Sequence, residues 1–413
     1  MKKKRIFTVF ALCCAFAAST SVWAASGDGT TTGDGQTTGD GTTTTTTTAT
    51  ATTPSVDGIA SVQAVNDDRL DKLEKVISLM PKVSGYLQTG YNWGDKNGDN
   101  RSSFQMKRMR LFLDKKMSDM FDFRAQFEVF SGSTDGTPYK KKVMTVMDAY
   151  ATAHFNKALH VRAGQYFLPL GFENYDISPA TLEVVDFSNI CYRMVCRNAV
   201  SSPNLIDYGR DIGVMAYGDL FENKDEGFSY LSYNLSLTNG SVITLNDDNK
   251  SKDVVARLTF RPIEKLRIMG SYNWGEYEKR DNNNVVVDTR HSTMNRFVAG
   301  AWYFDPEGLS LRSEYGHIQS SQANVKEDGL YVLAAYRVNK FLPVVRWDMY
   351  RDKENKTSAN NRDNILIGCS YDVIKDFKIQ ANYIHSIYTS DVKNANIKDG
   401  SGNSIQLMCV AKF

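Results

Sequence analysis

The segment IQLMCVAKF, residues 405–413, decides the fold because it carries an unbroken apolar series at every second position. That series consists of Ile405, Leu407, Cys409, Ala411 and Phe413. A two-residue period is the pattern of a β-strand with one apolar face. An aromatic residue that closes such a strand is typical of barrels in outer membranes, so the segment predicts the last strand of a barrel.

Similar alternating stretches recur from Val83 to Phe413, about sixteen in number and each roughly ten residues long. The connections between them are alternately very short and long. Outer-membrane barrels have short periplasmic turns and longer extracellular loops, whereas a water-soluble sandwich has no reason to keep this order. The sequence therefore predicts an all-β fold, a 16-stranded antiparallel transmembrane β-barrel with a short N-terminal periplasmic helix.

The chain divides into four predicted segments. Residues 1–24 have a basic start, an apolar stretch and a small-x-small site, which together predict a cleavable signal peptide and export to the outer membrane of a Gram-negative bacterium. Residues 25–55 are rich in Thr and Gly and predict a disordered tether. Residues 56–81 predict a short amphipathic helix, either a coiled coil or a helix packed on its own barrel. Residues 82–413 are predicted to form the barrel.

The overall composition agrees with a barrel. Hydrophobic residues make up 42% of the chain, charged residues 23%, and the mean hydropathy is -0.38. Only alternate side chains of a barrel strand meet lipid, so bulk hydropathy stays modest. The 21 Tyr, 21 Phe and 5 Trp are enough for two interfacial girdles. No basic patch interleaved with aromatic residues points to nucleic acid.

Arginines occupy the predicted inward positions of several strands. Guanidinium groups bind phosphate or carboxylate through two parallel hydrogen bonds, so these arginines are candidates for anion binding along the pore. Carboxylates also have inward positions, and such pairs can simply brace a barrel wall. Arg108 and Arg110 are the best exception, because only Asp114 is near on their face. The predicted pore-lining set is Arg108, Arg110, Arg124, Arg162, Arg257, Arg261 and Arg346.

The four cysteines beyond the signal peptide fall into two pairs. Cys191 and Cys196 lie five residues apart in the longest loop and either close a small disulfide or remain free. Zinc is a weaker alternative, because no histidine is near. Cys369 and Cys409 occupy outward positions and serve as small apolar residues.

Several short motifs in a fixed order resemble the phosphate-selective porin O and P family of Gram-negative outer membranes. The resemblance covers most of Val83 to Phe413 and implies a homotrimer of sixteen-stranded barrels with an anion-preferring channel. The Thr-rich tether and the two loop cysteines are departures from the family pattern. The motifs are Lys107–Leu111, Asp148–Tyr150, Val161–Tyr166, Pro169–Glu173, Arg210–Val214, Tyr233–Gly240, Asp253–Leu258 and Pro343–Trp347.

The longest loop runs from about Pro169 to Tyr208, between the fifth and sixth strands. A connection of this length without a strand pattern is usually functional. It is the third long loop, which in general porins folds into the lumen and narrows it. We therefore predict a constriction loop bearing Arg193 and Arg197, with a lid over the barrel mouth as the alternative.

These observations predict a passive diffusion channel for small anions, with phosphate or polyphosphate as the family expectation. The alternatives are a general non-specific hydrophilic porin and a non-conducting surface barrel that acts as an adhesin or receptor. We expect no enzymatic activity and no cofactor, because only His385 beside Ser386 resembles a nucleophile pair and a third member is missing. Expected partners are outer-membrane lipid, small anions and the barrel assembly machinery, which would contact Phe413.

Overall fold

The computed structural model describes residues 69–73, 80–96, 99–131, 144–196, 209–240, 251–280, 286–320, 324–396 and 400–413. They form sixteen antiparallel strands in one closed barrel, so the predicted fold is confirmed. The strands are β1 (Lys82–Lys96), β2 (Asp99–Lys116), β3 (Phe121–Ser131), β4 (Thr145–Asn156), β5 (Leu159–Phe167), β6 (Arg210–Asn223), β7 (Phe228–Thr238), β8 (Asp253–Ile263), β9 (Leu266–Arg280), β10 (Val286–Phe304), β11 (Leu309–Ser320), β12 (Val325–Tyr336), β13 (Phe341–Asp352), β14 (Arg362–Ile374), β15 (Phe377–Tyr388) and β16 (Ser401–Lys412).

Each strand pairs with its neighbours in the chain, and β1 closes the barrel by pairing with β16. Trp93 lies opposite Ile405 in that closing pair. Backbone hydrogen bonds also tie the last residue to β1, since Gly85 N donates to Phe413 O at 2.9 Å and Phe413 N donates to Gly85 O at 3.1 Å. Closure leaves no sheet edge, so the strand backbones satisfy one another without water.

The predicted alternation of faces is present along the strands. On β7, Leu235 and Leu237 are 54% and 53% exposed, whereas Ser236 between them is 1% exposed. On this strand the outward side chains are therefore apolar, and the inward ones are polar and covered from inside. Cys369 and Cys409 lie on the non-neighbouring strands β14 and β16, as predicted, and are partly buried with free thiols.

The connections are short at one end of the barrel and longer at the other. At the short-turn end, β4 and β5 are joined by Lys157 and Ala158, and β14 and β15 by Lys375 and Asp376. Asn339, in the short connection before β13, has a φ of 54°, a left-handed conformation that Asn tolerates better than most residues. The opposite end, which carries the longer connections, is called the long-loop end below.

β-Bulges shift the register of several strands, and two of them bring side chains into the lumen. In β2, Arg108 pairs with Gln88 and Met106 pairs with Thr89, so Lys107 has no partner on β1. An extra residue in one strand re-aims the side chains around it. As a result, the neighbours Lys107 and Arg108 both make contacts inside the barrel. Another bulge lies in β4 at Met147.

Helical structure is limited among the described residues. The helix α1 spans residues 69–73, within the predicted helix at 56–81, and α2 (Phe172–Tyr175), a π-helix (Ile190–Val195) and α3 (Ser390–Asn396) follow. None of the helices in the described part of the chain is long and apolar enough to cross a membrane. The predicted signal peptide and tether lie outside the described residues.

Candidate functional site

The segment between β5 and β6 lies inside the barrel. Its described part, residues 168–196, is called the inner loop. Hydrogen bonds join the inner loop to inward side chains of β1, β2 and every strand from β6 to β16; examples are Gln88 to the carbonyl of Pro179, and Lys378 and Gln380 to that of Leu182. The prediction that this segment enters the lumen is correct, and the alternative of a lid over the mouth does not describe these residues.

Apolar side chains of the inner loop pack against one half of the wall. Leu168, Leu170 and Phe172 are fully buried in a cluster with inward residues of β8 to β14, among them Trp302 and Tyr331. A barrel interior is ordinarily polar, so an apolar wall here is the binding surface for the loop. Burial of these side chains supplies the main non-directional stabilisation of the loop's position.

The π-helix of the inner loop fits against two glycines. A Cβ atom on Gly316 would lie 2.8 Å from Cγ2 of Ile190, and one on Gly329 would lie 2.8 Å from Cγ1 of the same residue. Gly316 and Gly329 face each other across β11 and β12. Together they form a shallow bed that admits the π-helix only because both side chains are absent.

The carboxylates of the inner loop pair with cations of the wall. Glu183 accepts two hydrogen bonds of 2.8 Å from Arg312, and Asp186 pairs with Lys107 and with Gln406. Burial opposes ionisation of Glu183, but the Arg312 guanidinium holds the pKa of this carboxyl below its ordinary value. The loop is therefore held by buried charged contacts in addition to its apolar packing.

Four of the seven predicted arginines are matched by carboxylates. Arg110 lies 2.7 Å from Glu128, Arg124 lies 2.5 Å from Asp114, and Arg257 lies 2.5 Å from Asp176. Arg346 is held more loosely, with Glu173 at 3.8 Å and Asp348 at 3.9 Å. The prediction that Arg110 has only Asp114 near was wrong, because Glu128 on the neighbouring strand neutralises Arg110.

The other three predicted arginines have no carboxylate partner among the described residues. Arg108 donates to Gln88 and to the hydroxyl of Tyr192, at 2.9 and 2.8 Å. Arg162 stacks on two tyrosines, with Cζ 4.2 Å from the ring centre of Tyr150 and 5.1 Å from that of Tyr217. Arg261 donates to the carbonyl of Glu264 at 3.0 Å, beside a short turn.

Arg162 and Arg261 belong to a larger group of positive charge, the arginine group, formed by Arg162, Arg257, Arg261 and Arg267. The charge of Arg267 interacts with that of Asp176 and with those of Arg261 and Arg257. Tyr175 of α2 connects Arg162 to the other arginines of the group. Its ring centre is 5.0 Å from the Cζ of Arg257, and its hydroxyl interacts with the charge of Arg162. Among the described residues, Asp176 supplies the group's one ion pair.

The remaining predicted site residues have structural partners or cannot be described. Arg193 lies 2.5 Å from Glu327 on β12, so it anchors the π-helix to the wall. Arg197 lies outside the described residues. The disulfide alternative for Cys191 and Cys196 is contradicted, since both cysteines are buried and free. The two cysteines are separated by one turn of the π-helix, and Cys196 N donates a hydrogen bond to Cys191 O at 2.9 Å.

Comparison with known proteins identifies a family for part of the chain. Residues 82–190 match the family model Phosphate-selective porin O and P. The match confirms the resemblance that the motifs predicted, and it covers β1 to β5 and most of the inner loop. No curated protein matches the chain.

Solved porins share the fold at low sequence identity. The anion-selective porin from Comamonas acidovorans is 14% identical with a TM-score of 0.55, over 81% of this chain and 99% of that one. OmpF of Salmonella typhi, in complex with daunomycin, is 12% identical with a TM-score of 0.59, over 81% and 97%. OmpT of Vibrio cholerae, in a trimer form, is 13% identical with a TM-score of 0.51, over 81% and 99%. The family match and the porin fold together support an outer-membrane channel.

Some lumen residues of this porin fold escaped the predicted set. Lys107 was missed because strict alternation places it outward, and only the bulge brings it to Asp186. Arg210 lies 2.6 Å from Asp148, and Arg296 donates to the carbonyl of Val195 at 2.8 Å. Arg267 and Arg312 have inward positions by the alternation of the sequence, although the predicted pore-lining set does not include them.

Proposed function

We propose that the chain is a passive channel for small anions, phosphate among them, in the outer membrane of a Gram-negative bacterium, and that it has no enzymatic activity. The observation that carries this proposal is the arginine group, in which four guanidinium groups share one ion-paired carboxylate, Asp176. An excess of one sign of charge in a narrow passage raises the local concentration of the opposite ion.

The position of the inner loop supports selectivity at this point. Because the inner loop occupies part of the lumen, a solute passes close to the barrel wall rather than through a wide water-filled pore. Arg162 lies close to the rings of Tyr150 and Tyr217, and its Nε and Nη2 donate long hydrogen bonds to the hydroxyls of Thr152 and Tyr217, at 3.4 and 3.3 Å. A guanidinium carries five N–H groups, so others remain to hydrogen-bond an anion in its plane.

A general hydrophilic porin is the second candidate function. The pairing of Arg110, Arg124, Arg257 and Arg346 with carboxylates favours it, since a neutralised arginine adds little to an anion path. A non-conducting adhesin or receptor is the third possibility. A measurement of conductance distinguishes a non-conducting barrel from both the anion channel and the general porin.

We further propose a homotrimer in outer-membrane lipid, in line with the trimer form in which OmpT of Vibrio cholerae was solved. The barrel assembly machinery is the proposed partner during folding. Phe413 supports this, because its backbone pairs with β1 while its side chain remains 61% exposed and open to a binding partner.

The proposal is tested with the full barrel folded in detergent and reconstituted into a planar bilayer. Reversal potentials in a potassium chloride gradient should show that chloride carries most of the current. A current carried mostly by potassium contradicts the anion channel, and the absence of conductance contradicts any channel. Added phosphate should reduce chloride current; if it does not, the general porin replaces the phosphate-accepting one.

A further inference from the structure

A cavity of about 330 Å³ lies beside the inner loop in the long-loop half of the barrel. Residues 186–192 of the loop form one side, and inward residues of β1, β13, β14, β15 and β16 form the other. A volume of this size suits a small organic molecule. The cavity is separate from the arginine group, whose members lie on β5, β8 and β9.

Arg346 faces this cavity with unused hydrogen-bonding capacity. Its side chain is 5% exposed, and its Nη1 donates to the carbonyl of Asp186 at 2.8 Å. The nearest carboxylates, those of Glu173 and Asp348, lie beyond hydrogen-bond distance at 3.8 and 3.9 Å. The buried Nε of Arg346 has no partner.

Asp348 presents the opposite charge in the same cavity. It is 1% exposed, and its Oδ2 accepts a hydrogen bond from the backbone N of Asn189 at 3.1 Å. Its buried Oδ1 has no partner. A buried, unpaired oxygen of a carboxylate is destabilising unless a ligand or water satisfies it.

Four more buried atoms around the cavity lack partners, and they include both donors and acceptors. Nε of Arg362 and Nδ2 of Asn189 can donate, and Oδ1 of Asn92 and Oε1 of Gln406 can accept. Structural polar networks are ordinarily satisfied, so unpaired atoms converging on one cavity indicate a place for a polar ligand.

The charges of the lining define the ligand. Arg346 and Arg362 line the cavity together with Asp348 and with Asp186, whose charge Lys107 already offsets. A phosphate dianion would meet the carboxylate of Asp348, and a simple cation would meet the two guanidinium groups. A molecule with separate positive and negative ends satisfies both. Phe187 and Ile384 add apolar contact surface.

We propose that this cavity binds a small zwitterion of the α-amino acid class with an apolar side chain. Arg346 takes the carboxylate, Asp348 takes the ammonium group, and Phe187 and Ile384 contact the side chain. The site concerns equilibrium binding in the lumen and does not depend on the anion preference of the channel.

Isothermal titration calorimetry of the full barrel in detergent tests the proposal with three matched probes. L-leucine carries both charges, L-leucic acid replaces the ammonium group with a hydroxyl, and L-leucinol replaces the carboxylate with an alcohol. L-leucine should bind at least tenfold more tightly than either of the other two. Equal binding of all three probes, or no binding of L-leucine, overturns the proposal.

Two variants separate the roles of the charges. D348N should weaken L-leucine at least tenfold and leave L-leucic acid unchanged, whereas R346M should weaken both of these and leave L-leucinol unchanged. The control K265Q/D305N removes an ion pair at a short turn and should leave the affinities of all three probes unchanged. Equal weakening of all probes by D348N and R346M would indicate a merely structural role and overturn the assignment. Chloride reversal potentials stay independent of these outcomes, so failure of the site and failure of the channel are distinguishable.

Discussion

Arg312 on β11 and Glu183 of the inner loop form a two-point ion pair, with both donor–acceptor distances at 2.8 Å. Both side chains are buried, and 129 residues of chain separate them. The pair joins the middle of the inner loop to the wall. It is therefore a direct link between loop position and barrel stability.

Breaking this pair should destabilise the protein strongly. R312M leaves Glu183 as a buried, uncompensated charge, which costs about 3–5 kcal/mol. We expect the free energy of unfolding, measured by denaturant titration in detergent, to fall by that amount. The double variant E183Q/R312M should recover part of the loss, since Glu183 is then neutral, whereas buried Glu173, 3.6 Å from Arg312 in the original protein, still lacks that cation. A double variant as unstable as R312M would contradict this account.

The charge of Arg162 should influence ion selectivity, because no carboxylate among the described residues neutralises it. One unit charge about 7 Å from a passing ion contributes about 0.6 kcal/mol in water. R162Q removes this attraction for chloride and the equal repulsion of potassium, so the chloride-to-potassium permeability ratio should fall about sevenfold. The matched control D114N/R124Q removes a neutral pair and should leave the ratio unchanged. Equal effects of the two variants would remove Arg162 from the anion path.

Gly316 and Gly329, against which the π-helix packs, should control the width of the passage. G316V places methyl groups where Ile190 and Met194 now lie, and such overpacking costs about 1–3 kcal/mol. The π-helix should leave the wall, and the altered loop should change single-channel conductance while the barrel stays closed. G270A is the control, because nothing lies within 4 Å of its Cβ position. Unchanged conductance in G316V would show that the π-helix does not border the passage.

The thiol of Cys191 should react slowly in the folded protein. A hydrogen bond with Cys196 and burial raise the pKa of Cys191 well above its ordinary value, so the thiol stays neutral near pH 8. Each pKa unit lowers the reactive thiolate about tenfold. Alkylation by iodoacetamide, followed by mass spectrometry, should be more than about tenfold slower in the folded than in the unfolded protein, and should accelerate as pH rises. If Cys191 and Cys196 resist alkylation even after unfolding without reductant, they are disulfide-bonded and the free pair is wrong.

The sequence by itself determined the number of strands, their two faces and the long connection between β5 and β6. These features are local, because side-chain direction in a strand alternates with every residue and a turn is encoded by its own few residues. The inward arginines followed from the same alternation. Lys107 was the exception, because a bulge depends on pairing with a neighbouring strand and leaves no mark on the alternation.

Only the tertiary structure decided which of those arginines keep an unneutralised charge. Arg110 meets Glu128 through pairing between strands, whereas Arg162 meets tyrosine rings, and nothing along the chain distinguishes the two positions. The cavity beside Arg346 and Asp348 likewise arises where the inner loop approaches the wall about 160 residues away in sequence. Charge pairing acts through space, and the path of the inner loop inside the barrel determines which charges meet.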